Sequence, residues 1–439
     1  MTPGPKTPDP KTAGVPTPGI GAPGSQTPSV RTPGIGAPGS QTPGVRTPGP
    51  TDPTDVLVVG GGLLGCALAY HLARAGASVR LIEKDQLNRH ASGQNAGSLH
   101  FQLEYRMIQH GPTVAARAAE ALPLHLDAMH SWAGLEDELG EPCGVRRSGG
   151  LMLAESPEDM ALLAHKAHLE HAHGLDVELL DARATHERAP YLSDRVIGAA
   201  WCPGEGKANP RLVTHAYARA ARRHGARIDT GVRLTALRHD GRQWLAETAG
   251  GRRMAARAVV VAAGVWTGEV AAMADIRLPI VPVALTMTVT AAAPPLIPHL
   301  VQHAGRRLSL KQTEEGNVLI GGGRAAKFVQ HAGALDLDAR PELRLDSVFA
   351  GADAARVVPA VQRLPVLRVW SGATSLAPDQ LPLLGPVPRR PDFFVATGGS
   401  GFTLGPTYSR LLAEQVLTGT TGLPLDDYSP ARFGALNFV

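Results

Sequence analysis

The stretch from Asp55 to Lys84 restricts this chain more than any other. It opens with an apolar run, Val56-Leu57-Val58-Val59, and passes directly into Gly60-Gly61-Gly62-Leu63-Leu64-Gly65. Apolar residues then recur at helical spacing from Cys66 to Ala75. A second apolar run, Val79-Arg80-Leu81-Ile82, ends in Glu83. The pattern reads as strand, tight turn, helix, strand, acid. Gly60 permits the turn, Gly62 lets backbone approach a pyrophosphate, and Gly65 lets the helix pack on the strand. The pyrophosphate meets the positive end of the helix, and Glu83 accepts hydrogen bonds from ribose hydroxyls. A glycine-rich turn alone serves backbone geometry as readily as a ligand. The flanking strands, the helix and the spaced acid together predict a dinucleotide site.

The 439 residues suffice for one large or two modest domains, and 43% hydrophobic content supports a substantial core. The formal charge is +4. Residues 1–54 hold Lys6, Lys11, Arg31 and Arg46 against Asp9 and Asp52, so half of that charge lies in this tail. No basic stripe interleaved with aromatics appears, which argues against nucleic-acid binding. Cys66, Cys143 and Cys202 show no metal-ligand spacing and read as buried small apolar residues, so no metal is expected. No apolar run reaches spanning length and no signal-peptide pattern opens the chain, so a cytoplasmic location is expected.

Residues 1–54 are low-complexity Pro, Thr and Gly, with Ile20–Pro28 repeated at Ile35–Pro43. So few large apolar residues cannot offset ordering entropy, and a disordered tail is expected. Beyond Glu83 a small polar loop, Ser92 to Ser98, is placed to run along a cofactor. A helical pattern spans Tyr105 to Leu139 with the breaker Pro112 inside it. Ser156-Pro157-Glu158-Asp159 opens another helix, with Ser at the cap and Pro in the first turn. Val259-Val260-Val261-Ala262-Ala263-Gly264 suits a strand buried on both faces of a parallel sheet. Alternation from Leu278 to Thr290 and from Leu308 to Ile320 predicts antiparallel strands of a second sheet. Arg368–Gly372 and Phe393–Gly398 read as a return to the buried-strand pattern, followed by a helix from Thr407.

Only one strand–glycine–helix unit is present, and a glycine-rich segment returns late, at Gly398. That combination favours one bound FAD reduced directly by substrate. The motifs carrying this reading are Val58 to Gly65, Val259 to Gly264 with Trp266, Pro378 to Gly385, and Gly398 to Pro406. In them the chain resembles the FAD-dependent oxidoreductase family of D-amino acid oxidase, sarcosine oxidase and glycine oxidase. Ser92–Gly97, Glu205–Pro210 and Leu310–Thr313 look most like its B-type catalytic subunits of opine and D-hydroxyproline dehydrogenases.

The resemblance implies an α/β fold: a Rossmann-like, glutathione-reductase-type FAD domain with an inserted mixed-sheet α+β substrate domain. The expected division is 1–54 as tail, 55–104, 207–275 and 365–439 for FAD, and 105–206 and 276–364 for substrate. The expected FAD contacts are Gly60, Gly62, Leu63, Leu64, Gly65, Glu83, Lys84, Ser92, Gln94, Asn95, Ala96, Gly97, Val232, Gly264, Trp266, Gly372, Gly399, Gly401, Phe402 and Thr403. Family members that attach FAD covalently carry a cysteine where this chain has Gly372, so non-covalent FAD is expected. Several members clamp the substrate carboxylate with an arginine where this chain has Thr374. A short hydroxyl cannot form that bidentate pair. Lys311, Arg324 and Arg307 are candidate replacements, and His100, Gln102 and Thr374 are candidate substrate contacts. The sequence singles out no catalytic acid or base.

The implied activity is oxidation of a C–N bond in a small amine or amino acid, a secondary amine or a D-amino acid, to an imine. Smaller partner subunits carrying an electron relay are expected with it. Two alternatives stay open: a 2-hydroxy-acid dehydrogenase, whose base would be His100, and a flavin-binding subunit without turnover of its own.

Overall fold

A computed structural model describes residues 53–437. The tail read over residues 1–54 lies outside them, apart from Pro53 and Thr54. The chain has an α/β fold built on two large sheets.

The first sheet forms around β1 (Thr54–Val59). Its apolar run is buried because both neighbours run parallel to it: Val58 and Val59 register with Val260 and Val261 on one side and with Leu81 and Ile82 on the other. The second neighbour is β2 (Val79–Glu83), and α1 (Leu63–Arg74) makes the crossover between them. The strand of Val260 runs over Arg253–Val261, six residues further upstream than the apolar run alone predicts. It pairs in parallel with Arg390–Thr397, the late return expected at Phe393. Leu68 and Leu72 on α1 are fully buried; burial of that kind stabilises by roughly 1.5–3 kcal/mol per side chain. They pack with helices Pro210–Arg223 and Gly405–Thr418 in one continuous apolar core.

The second sheet is mixed. Its strand order is Val366–Leu376, Val281–Ala292, Asn317–Gly321, Ser309–Gln312, Leu300–His303, Gly150–Ala154, Gly198–Cys202, Glu178–Asp181. The alternating segments predicted from Leu278 and Leu308 are its antiparallel strands. Arg368–Gly372 differs from expectation. It belongs to this sheet, at its edge, antiparallel to Val281–Ala292, and its strand begins with exposed Val366 and Leu367. An edge strand has only one hydrogen-bonded neighbour, so its apolar residues do not imply burial on both faces.

Helix punctuation follows the sequence. Pro112 and Pro123 divide the Tyr105–Leu139 pattern into three helices, and Ser156 Oγ accepts from Asp159 N–H at 3.2 Å. All three cysteines are free and buried. Burial pushes each thiol up to about 12, which suits packing and not reactivity. Among the described residues no helix is long and apolar enough to cross a membrane.

Candidate dinucleotide and substrate site

The turn after β1 is as tight as its glycines require. Gly60 has φ +117°, and a Cβ there would lie 2.4 Å from the Ala262 carbonyl oxygen. A Cβ on Gly65 would lie 1.9 Å from the Gly60 carbonyl oxygen. Both glycines are therefore demanded by the fold itself. Gly62 differs: the only atoms a Cβ would meet within 4 Å belong to Ser92, with Oγ at 2.9 Å. Gly62 caps α1 without a side chain, so the N–H groups of the first turn lack intrahelical partners. Ser92 Oγ accepts one of them, from Leu63, at 2.9 Å. This open cradle at a helix N-terminus fits a pyrophosphate.

Glu83 is buried at the end of β2. Its carboxylate accepts from Gly61 N–H at 2.6 Å and from Asp85 N–H at 2.8 Å. A carboxylate has about four acceptor positions, so room for ribose hydroxyls remains. Val232 N–H donates to the Glu83 carbonyl at 2.8 Å, which places Val232 beside this acid. Lys84 Nζ lies 4.3 Å from the Trp266 ring centre and pairs with Asp85 at 2.5 Å and Asp338 at 3.0 Å. Asp338 also pairs with Arg233 at 2.9 Å. Gly264, at φ +55°, opens the short turn that presents Trp266. Glu83, Asp85 and His90 cluster closely. With Lys84 on Asp85 and two amides on Glu83, the cluster forms an ion-pair and hydrogen-bond network.

The loop after β2 is folded by its own asparagine. Asn95 donates to the Ala91 and Ser92 carbonyls and accepts from Gly97 N–H at 2.7 Å. Ala96 lies within this closed turn. Each end of the loop then meets a different element. Trp370 Nε1 donates to the Gln94 carbonyl at 2.9 Å. A Cβ on Gly372 would lie 2.7 Å from Gln94 Oε1, so a cysteine there would force Gln94 aside. A Cβ on Gly97 would lie 3.1 Å from Lys311 Nζ. Thr403 Oγ1 donates to the Ser98 carbonyl at 3.2 Å. Along strand Val366–Leu376, Gly372, Thr374 and Leu376 share one face. Leu376 in turn approaches Gly399. The loop, this face, the Gly399–Thr403 turn and the strand Ser309–Gln312 therefore adjoin one another.

The polar side chains here are His100, Ser309 and Lys311, with Glu104 and Arg106 beside them. His100 Nε2 bonds Ser309 Oγ at 3.2 Å, while its Nδ1 is buried without a partner among the described residues. Burial lowers the imidazole pKa against the opposing pull of Glu104, and Lys311 and Arg106 add to the lowering. Burial also pushes Lys311 down, to about 7, helped by Lys207. Arg106 donates to Gln380 at 3.1 Å, Glu104 at 3.1 Å and Ser400 at 2.7 Å. Burial alone would raise Glu104, but Arg106 and His100 outweigh it and hold the carboxyl at about 2. Phe402 packs on Trp132, whose Nε1 donates to the Thr403 carbonyl at 2.6 Å.

The segment after His100 is fixed from beneath. Glu205 Oε1 accepts from Phe101 and Gln102 N–H at 2.8 and 2.9 Å. Glu170 accepts from Leu103 N–H at 2.7 Å. Lys166 Nζ joins them, 2.8 Å from Gln102 Oε1 and 2.7 Å from Glu170. All four side chains are fully buried. Burial pushes the Glu205 carboxyl up to about 7 against the pull of Gln102 and Lys166.

Of the sequence candidates, Lys311 and His100 meet at this place, whereas the Gln102 side chain is buried beneath it between Glu205 and Lys166. Arg324 instead pairs with Asp353 and donates to the Asp346 carbonyl, towards helix Phe349–Val357. Sequence reasoning missed Arg106, Ser309 and the Glu205 network. Glu205 falls within one of the motifs of the resemblance, whereas Arg106 lies in a plain helical stretch and meets Ser400 only through folding.

A glycine cradle with a buried acid, beside the polar cluster of His100, Ser309 and Lys311, is the arrangement of a dinucleotide-binding enzyme. A model of the family DAO, FAD dependent oxidoreductase, matches residues 55–415, and the chain belongs to that family. It is a FAD flavoprotein. Mitochondrial dimethylglycine dehydrogenase from Rattus norvegicus is 27% identical over 404 residues, covering 87% of this chain and 45% of that protein. The chain thus spans less than half the length of that relative. The B component of the opine oxidase from Rhizobium meliloti is 27% identical over 391 residues, covering 87% of this chain and 98% of that protein. The crystal structure of glycine oxidase from Geobacillus kaustophilus matches with a TM-score of 0.75 at 26% identity, over 87% of this chain and 99% of that one.

Proposed function

We propose that the chain oxidises the C–N bond of a small secondary-amine acid, such as a D-hydroxyproline or an opine, to an imine, as a dehydrogenase. The observation carrying this reading is Thr374 on the site-facing side of its strand, where a short hydroxyl replaces a guanidinium, with the basic side chains of Lys311 and Arg106 brought near from other elements. A site without the usual arginine clamp favours a substrate other than a plain primary D-amino acid. The likeness to one component of an opine oxidase supports the same class, and supports an electron-relay partner, since this chain has no C-x-x-C of its own.

Bound FAD would supply the hydride acceptor. Gly62, the first turn of α1, Ser92 and Glu83 would hold its ADP part, and Gly399–Thr403 would lie along the flavin. We assign the first sheet to the cofactor and the second to the substrate, with strand Val366–Leu376 in the second. The protein's further tasks are to orient the reacting C–H, exclude water and keep the substrate nitrogen unprotonated.

Anaerobic bleaching of the bound flavin tests the reading over D-amino acids, N-methyl amino acids, opines and 2-hydroxy acids. Secondary-amine acids are expected to bleach it fastest. Bleaching by D-alanine ahead of them overturns the substrate class. Bleaching by hydroxy acids alone would favour the second reading, which the unpartnered His100 Nδ1 supports. No bleaching by any member would leave a flavin-binding subunit.

A further inference from the structure

Two lysines among the described residues are buried almost completely, and the fold treats them oppositely. Lys166 is given Glu170 at 2.7 Å and the side-chain Oε1 of Gln102 at 2.8 Å. Lys311 is 3% exposed, and no carboxylate lies within ion-pair distance among the described residues. Its charged neighbour is another cation, Lys207, which reaches in from residues 206–207 and donates to the Gln312 carbonyl. A buried ammonium without a counter-ion is costly, so such a side chain is held neutral. Lysines in that state act as bases more readily than as anion anchors.

Position supports the same role. Lys311 and Ser309 lie two residues apart on one strand and share a face. Ser309 holds His100 Nε2, and Lys311 Nζ packs against Gly97 in the loop that would follow the cofactor. The charged and titratable groups around this point are Lys207 and His100, then Glu104 and Arg106 next to His100. None offers Lys311 an anionic partner.

Resting on the amine-oxidation reading above, we propose that Lys311 is the base that takes the proton from the substrate ammonium. One N–H bond of the substrate breaks and one forms on Nζ, so the single positive charge moves from substrate to lysine. The freed lone pair is then available for the C=N bond, with bound FAD as the group that would accept the hydride from the neighbouring carbon. The product leaves as an iminium, and Lys311 returns its proton to solvent. Burial that disfavours a charged lysine disfavours the substrate ammonium too, which brings the two amines closer in basicity.

The test has two arms. In the first, wild-type holoenzyme is treated with acetic anhydride across pH 6–10, and each lysine is followed by peptide mass. Lys311 is expected to acylate with a midpoint near 7, against about 10.4 for ordinary lysines. An ordinary midpoint overturns the proposal. So does no reaction, because a base that a substrate reaches is also reached by a reagent this small. In the second, anaerobic flavin reduction by D-hydroxyproline and by sarcosine is measured for wild type, Lys311→Met and Lys311→Ala. The limiting rate is expected to fall roughly 10²–10⁴-fold, with probe affinity little changed. The inflection near pH 7 is lost in both variants, whose rates then follow the ionisation of the substrate ammonium alone, and added ethylamine restores part of the Lys311→Ala rate. Weaker binding with an unchanged limiting rate would make Lys311 a carboxylate anchor and overturn the proposal. If neither probe reduces the wild type, the proposed substrate class fails, while acylation still decides the state of Lys311.

Discussion

Replacing Lys166 by Met removes the ammonium between Gln102 and Glu170, at 2.8 and 2.7 Å, and leaves two buried carboxylates without it. Breaking a buried pair by deleting one partner costs roughly 3–5 kcal/mol, a large share of the ~5–15 kcal/mol that holds a folded chain together. At roughly 2 cal/mol/K of unfolding entropy per residue, residues 53–437 carry about 0.8 kcal/mol/K, so the melting point should drop by about 4–6 °C at pH 8. The pH dependence has a definite sign. Glu205 already sits up at about 7 because of burial, against about 4.3 for an unfolded glutamate. Between those values the folded state binds more protons, so its stability rises as pH falls. Loss of Lys166 enlarges that term, so the deficit should narrow between pH 8 and pH 5. Adding Glu170→Gln should return at least half of it. Thermal melts of the two variants and the wild type across that range check all three points. A drop under about 1 °C, or a deficit that widens on acidification, would refute the reasoning from this network.

Gly62→Val should yield a folded protein with little flavin, read from the visible absorbance of purified protein against its circular dichroism. Its Cβ alone would come within 2.9 Å of Ser92 Oγ, and overpacking of that order costs about 1–3 kcal/mol before the pyrophosphate is obstructed; full flavin content would contradict the cradle. Acid precipitation should release FAD into the supernatant, since Gly372 offers no sulfur, and a pellet that stays yellow would disprove non-covalent binding. Reduced enzyme should pass electrons to an artificial dye faster than to oxygen, checked by parallel steady-state assays; rapid peroxide formation would exclude the dehydrogenase reading.

The nucleotide half was legible because its signals are local. Gly60, Gly62, Gly65 and Glu83 fall within 24 consecutive residues, and their geometry is set by short-range sterics. The burial of Val259–Val261 was legible for a related reason: an unbroken apolar run has no polar face to expose. Arg368–Gly372 misled, because an apolar edge strand and an apolar central strand share one composition. Arg106 was invisible because its partner Ser400 lies 294 positions away. Lys311 was visible as a candidate, but whether a lysine is paired depends on what the fold sets beside it, as the contrast with Lys166 illustrates.

The reach of Asp338 to Lys84 and Arg233 bears on how far the nucleotide-binding stretch can be treated as a portable part. A fragment of residues 54–104 would carry the glycines, Glu83 and the folded loop. It would leave behind Asp338 for Lys84, Trp266 for the same ammonium, Trp370 for the Gln94 carbonyl and Thr403 for the Ser98 carbonyl. Those partners are supplied from more than 160 positions downstream. A transplant or a truncation ending before residue 266 would thus keep the whole recognisable motif yet lose the groups that hold its exposed side in shape.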